Sequence, residues 1–198
     1  MTPSLRRGLR WAFFNLKYFG RPPWDTGISP PELLSFLQAA LPGRALDLGC
    51  GTGTNLLAML SAGWEVCGVD YALRAVLAAR RRLKQAGFAG RARVFAGDVT
   101  GALGGVIGPF DLVLDIGCYH GVGLPDRPAY RRNLLRWLAP GGHFLLYAHL
   151  ADAVGPGGFG FCPADQEALA RDLTLIWRED SQDRWGRRAS WQKWWRHP

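Results

Sequence analysis

The stretch RALDLGCGTGTNLL, residues 44–57, constrains this chain more than any other part of it. A short apolar run carries an aspartate, Asp47, near its end; Gly49, Gly51 and Gly53 follow at alternate positions, and an amphipathic run opens at about Thr54. Glycine reaches backbone conformations closed to other residues and carries no Cβ, so such a turn lets main chain approach a bound ligand closely. Strand, glycine-rich turn and helix in that order read as a nucleotide or nucleoside site in an open α/β sheet. A dinucleotide fingerprint would need glycine at position 54, and a Walker loop would need Gly-Lys-Ser/Thr; this chain has neither. The competing reading is a tight strand-to-helix turn without a ligand.

The rest of the chain repeats the same alternation. Apolar runs bounded by glycine or aspartate predict strands at 44–49, 65–70, 92–97, 110–116 and 142–149, and helical periodicity predicts helices at 54–62, 73–86 and 127–138. On the 73–86 helix, Leu73, Val76, Leu77 and Leu83 are expected to face the sheet, with Arg80, Arg81 and Lys84 in water. A further helix is expected after Pro163, then two strand-like runs, TLIWRED and SWQKWWRHP, joined by a turn containing Gly186 as an antiparallel hairpin at one edge. The alternation predicts an α/β fold, a mostly parallel sheet with helices on both faces. With 198 residues, 48% of them hydrophobic, one globular domain is expected. The GPGGFGFCP cluster at 155–163 reads as a mobile loop by composition.

Charge separates the ends from the body. Residues 1–24 hold five basic residues and no acid, residues 184–198 hold five more and no acid, and the segment between carries a net charge of −2. Drawn as a helix, residues 5–19 place Leu5, Leu9, Ala12, Phe13, Leu16 and Phe19 on one broad side and Arg6, Arg7, Arg10 and Lys17 on the other, with Trp11 and Tyr18 between. Two roles suit this segment: a lid whose apolar side covers an acceptor pocket, or an anchor at a membrane interface. Residues 1–24 are therefore set apart as a lid or anchor, and 25–198 as the catalytic domain. The WQKWWRH ending reads equally as an edge strand or as basic-aromatic surface. Cys50, Cys67, Cys118 and Cys162 are scattered, with neither disulfide nor zinc spacing, which suits a reducing cytoplasm. No stretch is long and apolar enough to span a membrane.

Two further acids stand at predicted strand ends. Asp70 in WEVCGVDYA lies about 20 residues beyond the glycine turn, where a carboxylate can accept from both ribose hydroxyls. Tyr71 beside it is placed to pack on an adenine. Asp98 in RVFAGDVT is placed to accept from an adenine amine, and the N–H of Val99 to meet a ring nitrogen. A lone aspartate at a strand end is more often a cap or turn former. Three at consecutive strand ends point to a site.

Taken in order, LDLGCGTG, GVDYA, AGDV, FDLVLDIGCYHGV and LAPGGHFLLYAH resemble the successive motifs of class I S-adenosylmethionine-dependent methyltransferases over about residues 30–150. The resemblance implies a Rossmann-like seven-stranded sheet with an antiparallel last strand, S-adenosylmethionine as cofactor, and no metal. It implies cofactor contacts at Asp47, Gly49, Gly51, Asp70, Asp98 and Val99, to which position adds Cys50, Gly53, Thr54, Tyr71, Asp115 and Ile116. Upstream, RPPWDTGISPPELLSFL at 21–37 is similar to the thiopurine, halide and thiol methyltransferases, and DIGCYH at 115–120 resembles a run in their bacterial relatives. That likeness implies that Trp24 forms a lid near the sulfonium; the alternative is that Trp24 is a buried anchor and Asp25 a turn cap.

The acceptor is narrowed by the fourth strand. Methyl transfer is a displacement at a carbon already activated by positive sulfur, so the protein orients the acceptor, excludes water and, where needed, removes a proton. Enzymes that methylate base amines resemble one another in an Asn/Asp-Pro-Pro-aromatic run here, whereas this chain has Asp115-Ile116-Gly117-Cys118, which argues against nucleic acid. The expected acceptor is a small molecule, such as a thiol or other soft nucleophile; the alternatives are a methyltransferase acting on a membrane lipid or nucleic acid, or an S-adenosylmethionine-binding module without catalysis. His120 is the candidate base, with Asp115 beside it, and the alternative for His120 is a hydrogen bond to loop backbone. Cys118 reads as a packed small hydrophobe. The expected location is cytoplasmic, with peripheral membrane contact through residues 1–20 if the segment is an anchor.

Overall fold

The computed structural model describes residues 3–153 and 159–198, with side chains described from Gly8 onward. The helices are α1 (Pro3–Lys17), α2 (Pro31–Ala39), α3 (Thr54–Ser61), α4 (Leu73–Gln85), α5 (Arg127–Trp137) and α6 (Pro163–Ala170). The strands are β1 (Arg44–Leu48), β2 (Glu65–Asp70), β3 (Ala92–Ala96), β4 (Phe110–Ile116), β5 (Leu138–His149), β6 (Thr174–Gln182) and β7 (Arg188–Trp195). They form a seven-stranded sheet in the order β3-β2-β1-β4-β5-β7-β6. Strands β1 to β5 run parallel, and β7 enters antiparallel between β5 and β6. This is the Rossmann-like methyltransferase sheet expected from the alternation and the motifs.

Both sheet faces are covered, so the central strands are apolar nearly throughout. One core packs Leu33, Leu56, Met59, Val76 and Leu83 from α2, α3 and α4 against Ala45, Leu112 and Leu145. The other packs Tyr130, Leu134 and Trp137 from α5 and Leu169 from α6 against Leu46, Val113, Phe144 and Trp194. The strand order reverses between β1 and β4, the place where ligands bind beyond the carboxyl ends of parallel strands. Register aligns that rim: Leu48 of β1 faces Val69 of β2 and Asp115 of β4, and Ile116 of β4 faces Tyr147 of β5.

Three expectations need correction. On α4 the buried stripe is Ala75, Val76, Ala79 and Leu83, while Leu73 and Leu77 are 44% and 53% exposed. Those two leucines lie roughly a third of a turn from the centre of the stripe. Small residues face inward because α4 closes on the glycine turn, where a Cβ on Gly53 would come within 3.0 Å of that of Ala79. The C-terminal run is also not the sheet edge. β7 is interior, with Trp191 and Trp194 buried in opposite cores, and the largely exposed, charge-bearing β6 forms the edge. Third, β5 begins at Leu138 rather than 142, and Arg196 from beyond β7 donates to the carbonyls of Leu135 and Leu138. The composition-based loop at 155–163 is described only from Phe159, its earlier residues lying outside the described residues.

An interior β7 has a measurable consequence. Trp194→Ala should cost about 3–5 kcal/mol in urea unfolding, as expected for a truncated core aromatic, because Trp194 is fully buried. Trp185→Ala, at an exposed turn position, should stay within about 0.5 kcal/mol of the parent. Similar small losses for both would return the C-terminus to the surface.

Candidate functional site

The glycine turn is built from positive φ angles that side-chain-bearing residues rarely adopt: +78° at Gly49, +53° at Gly51 and +84° at Gly53. A Cβ on Gly49 would lie 2.9 Å from that of Cys118, so the turn after β1 and the turn after β4 touch here. Backbone ties the turn to β2: the N–H groups of Gly49 and Cys50 donate to the Val69 carbonyl at 2.8 and 3.0 Å. The N–H of Gly51 donates to Asp70 Oδ2 at 2.8 Å. The Cys50 thiol is buried, which pushes its pKa up and leaves it a packing group. Thr54 opens α3 and accepts a hydrogen bond from Arg82.

Asp47 provides a test of whether a cationic cofactor fits. Its side chain is buried and Oδ2 has no hydrogen-bond partner among the described residues. Burial, followed by the nearby Asp115 and Asp70, raises its pKa well above the carboxylate range. A cation that donates a hydrogen bond to it would restore the ionised form and satisfy the orphaned oxygen, which suits the ammonium of S-adenosylmethionine.

The other two strand-end acids are shaping loops. Asp70 accepts Gly51 N–H through Oδ2 and Ala72 N–H through Oδ1, each at 2.8 Å, although burial raises its pKa. Asp98 Oδ1 accepts from the N–H and Oγ1 of Thr100 at 2.9 and 2.6 Å. Val99 is buried and its carbonyl accepts from Asn133. The turn-former reading of these acids and the site reading are compatible, because an ionised carboxylate has about four acceptor positions.

The N-terminal segment sits over this turn, but the other way round from the expected lid. Its inner residues are Arg10, Phe14, Asn15 and Tyr18: Phe14 meets Tyr71 at 6.4 Å, Arg10 lies 5.8 Å over both rings, and Asn15 Oδ1 accepts from Arg74 N–H. A Cβ on Gly51 would meet the Tyr18 hydroxyl at 3.3 Å. Leu9, Trp11, Phe13, Leu16 and Phe19, the apolar side, are exposed. The side chains of Leu5, Arg6 and Arg7 lie outside the described residues. Trp24 is half-exposed rather than a buried anchor, and its Nε1 donates to Tyr18 Oη at 3.2 Å. Asp25 Oδ2 accepts from Thr52 Oγ1 at 2.9 Å, which pins the Trp24 element to the glycine turn. The i, i+4, i+8 spacing of Arg10, Phe14 and Tyr18 was the sequence signal for this inner face.

At the end of β4, two expected roles meet obstacles. Asp115 is fully buried and turned inward, accepting from the N–H groups of Cys118 and Tyr119 and, at 2.6 Å, from Tyr130 Oη. It organises the 3-10 turn Tyr119–Gly121, and both its oxygens are engaged in these bonds. Ile116 packs partly buried beside it. His120 is also buried, and its Nδ1 accepts the backbone N–H of His149 at 3.0 Å, which places the ring proton on Nε2. Burial, then the neighbouring His149, Arg187 and Arg127, lowers its pKa to about 3. The lone pair a base would use is already committed, so the backbone-bonding alternative describes His120. Behind it, Arg127 and Asp165 form a buried pair that also binds Tyr119 Oη, Cys162 N–H and the carbonyls of Val122 and Gly160. Nothing in the local sequence pattern flags that long-range pair.

Residues 45–142 match a family model described as "Methyltransferase domain". The chain carries a methyltransferase domain on the class I S-adenosylmethionine-dependent fold. This methyltransferase is 26% identical over 161 residues to the 2-heptyl-1-hydroxyquinolin-4(1H)-one methyltransferase of Mycobacteroides abscessus, covering 81% of the chain and 70% of the relative. Its fold matches the Burkholderia thailandensis 1,6-didemethyltoxoflavin-N1-methyltransferase, solved with S-adenosylhomocysteine, with a TM-score of 0.81 and 22% identity over 100% of this chain and 92% of that one. A shorter likeness, 42% over 59 residues, links the methyltransferase to probable thiol methyltransferase 2 of Arabidopsis thaliana, covering 29% of this chain and 26% of that protein. The cofactor of the methyltransferase is S-adenosylmethionine.

Burial of Asp115 sets a pH dependence of stability. Its pKa in the fold is raised from 3.8 to about 6 by burial, opposed by the Tyr130, Tyr119 and Cys118 hydrogen bonds. The folded protein therefore keeps this proton to higher pH than the unfolded chain, and stability from this group is lost as pH rises through about 4 to 6. Urea unfolding of Asp115→Asn against the parent should show that loss flattened, by roughly 3 kcal/mol for a shift of this size. Parallel pH curves for the two proteins would refute the assignment.

Proposed function

We propose that the protein methylates a small, flat, lipophilic acceptor held between aromatic side chains at the ends of β4 and β5. The observation that carries this reading is a pair of hydrogen bonds that fixes the Trp24 segment beside that rim. Asp25 bonds to Thr52 on one side, and on the other Arg184 in the β6–β7 turn donates to the Pro23 carbonyl at 2.6 Å. At the rim lie Tyr147, His149, His120, Phe159 and Trp191, with ring centroids 4.5 to 5.9 Å apart in successive pairs. An aromatic rim beside such a strapped segment suits a small molecule better than a polymer laid across an open groove. The names of two relatives, a 2-heptyl-1-hydroxyquinolin-4(1H)-one methyltransferase and a 1,6-didemethyltoxoflavin-N1-methyltransferase, support an aromatic acceptor. A thiol acceptor is the narrower second reading, supported by the Trp24–Asp25 element and the short thiol methyltransferase likeness.

In this reading the chain's residues divide the work. Asp47 takes the cationic end of the cofactor, the backbone of Gly49, Cys50, Gly51 and Gly53 lies against it, Asp70 accepts ribose hydroxyls with its remaining lone pairs, and Asp98 with Val99 meets the adenine edge. Tyr71, braced by Phe14 and Arg10, covers the base. When bound, the sulfonium supplies the electrophilic methyl group. Tyr18 and Trp24 close over the glycine turn and exclude water. Residues 1–24 thus act as a lid through their polar-aromatic inner face. Their outer face of Leu9, Trp11, Phe13, Leu16 and Phe19, in a segment with basic residues and no acid, suits contact with an anionic membrane surface. No described helix is long and apolar enough to cross a membrane.

Turnover with isotope-labelled cofactor across hydroxy- and N-hydroxy-heteroaromatics, thiols, halides and amines tests the acceptor class. Transfer to the heteroaromatics is the expected result, and transfer to thiols alone would favour the second reading. Asp70→Ala should weaken binding of S-adenosylmethionine and its demethylated product by about 10- to 150-fold, equivalent to about 1.5–3 kcal/mol for bonds to a charged acceptor. Calorimetry showing unchanged affinity would remove the ribose role. For the outer face, Phe13→Asp with Leu16→Asp should abolish co-sedimentation with anionic vesicles while leaving cofactor affinity unchanged; retained co-sedimentation would locate membrane contact elsewhere.

A further inference from the structure

His149 closes the LAPGGHFLLYAH run, where no role was expected of it, and Asp183 stands outside every sequence motif, yet the two side chains meet at the acceptor rim. We propose that His149 is the general base for the acceptor and that Asp183 is the residue that positions it. His149 ends β5, and its ring stacks on His120 at 4.5 Å with 23° between planes, with Phe159 and Tyr147 at 5.5 and 5.9 Å. Its Nε2 lies 3.1 Å from Asp183 Oδ2, and its Nδ1 is buried with no hydrogen-bond partner among the described residues.

The pairing decides the tautomer. Asp183 accepts the N–H groups of Trp185 and Arg187 through Oδ1 at 2.9 Å and Arg187 Nε through Oδ2 at 2.7 Å. Partial burial pushes its pKa up, but these Arg187 and Trp185 bonds outweigh that and hold it at about 2, so it is an anion at neutral pH. An anion facing Nε2 keeps the ring proton there and leaves Nδ1 as a lone pair. A buried nitrogen without a donor is costly and rare in a folded protein. The donor it lacks is supplied by an acceptor carrying O–H, N–H or S–H. His120 cannot share the role, because its own Nδ1 is occupied by the His149 backbone N–H.

The groups facing His149 are Tyr147 on its own strand, His120 from the turn after β4, and Asp183 with Arg187 from the β6–β7 turn. Burial and then Arg187 lower its pKa below 6.5, opposed by Asp183, so the ring is neutral and able to accept a proton at pH 7. In the transfer, acceptor atom X forms its bond to the methyl carbon as the carbon–sulfur bond breaks with its electrons passing to sulfur. The proton on X passes to His149 Nδ1, the imidazolium is held by Asp183, and the proton leaves to water after product departs.

This inference rests on the acceptor rim proposed above, so its test begins with a measurement that needs no acceptor. Nitrogen-15 NMR of His149 in the ligand-free protein should show the Nε2–H tautomer with a pKa below 6.5, and Asp183→Asn, which retains an oxygen for the turn N–H groups, should lower that pKa further. His149→Gln should lower turnover by about 10²- to 10⁴-fold on acceptors protonated at assay pH, with a much smaller loss on ionised ones and unchanged cofactor affinity. The low-pH limb of the rate profile should follow the NMR pKa and vanish in His149→Gln. An Nδ1–H tautomer, a pKa indifferent to Asp183→Asn, or a limb that survives in His149→Gln would each overturn the proposal. The expected NMR result without turnover of any small acceptor would overturn the acceptor reading and leave the dyad standing.

Discussion

The site hangs from the end of β2. Val69 and Asp70 hold three consecutive N–H groups of the glycine turn, Gly49 and Cys50 on a carbonyl and Gly51 on a carboxylate, while the other Asp70 oxygen fixes Ala72 at the start of α4. Two loops from two strands therefore share one buried aspartate. The β1–β2 register, with Leu48 opposite Val69, brings the donors to these acceptors. A one-residue slip would turn every side chain of β1 to the opposite face and break that fit. The positive φ angles of Gly49, Gly51 and Gly53 then follow from where the donors must point, and glycine is the residue that meets them at little steric cost.

The rim of β4 and β5 is held by a second buried polar network. Arg127 spends its guanidinium on Asp165 and on the carbonyls of Val122 and Gly160, and Asp165 also receives Tyr119 Oη and Cys162 N–H. Breaking such a pair strands a buried charge, which typically costs about 3–5 kcal/mol. With its partners satisfied, it locks the turn after β4 to the segment after β5. The Gly160 N–H on the His120 carbonyl and the Phe161 N–H on the His149 carbonyl complete the clamp. The two histidines consequently occupy fixed positions, His149 at the end of β5 and His120 in the turn after β4, which preorganisation of a site requires.

The order of strands and helices was legible because each element carried its own period, and the glycine turn was legible because few structures use three glycines that way. What stayed hidden depends on contacts distant in sequence. β7 reads as an edge because its residues alternate in kind, but alternation cannot tell whether a second strand lies outside it, and β6 does. Helix α1 shows two faces in the sequence, yet which face meets the body depends on what it meets: the partners are Tyr71, the glycine turn and Arg74, for which aromatic and polar groups are suitable. Asp115 and His120 stood where chemistry was expected, and each is consumed by backbone N–H groups that only the folded turn supplies. His149 closes the LAPGGHFLLYAH run, but it gains its partner from a turn 34 residues on, which no local pattern signals.

Charge placement follows the demands of the reaction. Asp47, Asp70 and Asp115 are buried at neighbouring strand ends on the cofactor side, and burial raises the pKa of all three, with Asp115 and Asp70 adding to the effect at Asp47. This arrangement favours a cationic ligand. A carboxylate beside the sulfonium itself would stabilise the ground state more than a transition state in which that charge is being dispersed, and so oppose transfer. In the proposed arrangement Asp47 meets the ammonium, which keeps its charge in substrate and product alike, while the acceptor side is walled by Tyr147, His120, His149, Phe159 and Trp191. The nearest anion on that side, Asp183, is already paired with Arg187 and stands behind the His149 ring. In that proposed arrangement neutral rings face the methyl group as its positive charge spreads, and the anion on the acceptor side stands where a proton must be held.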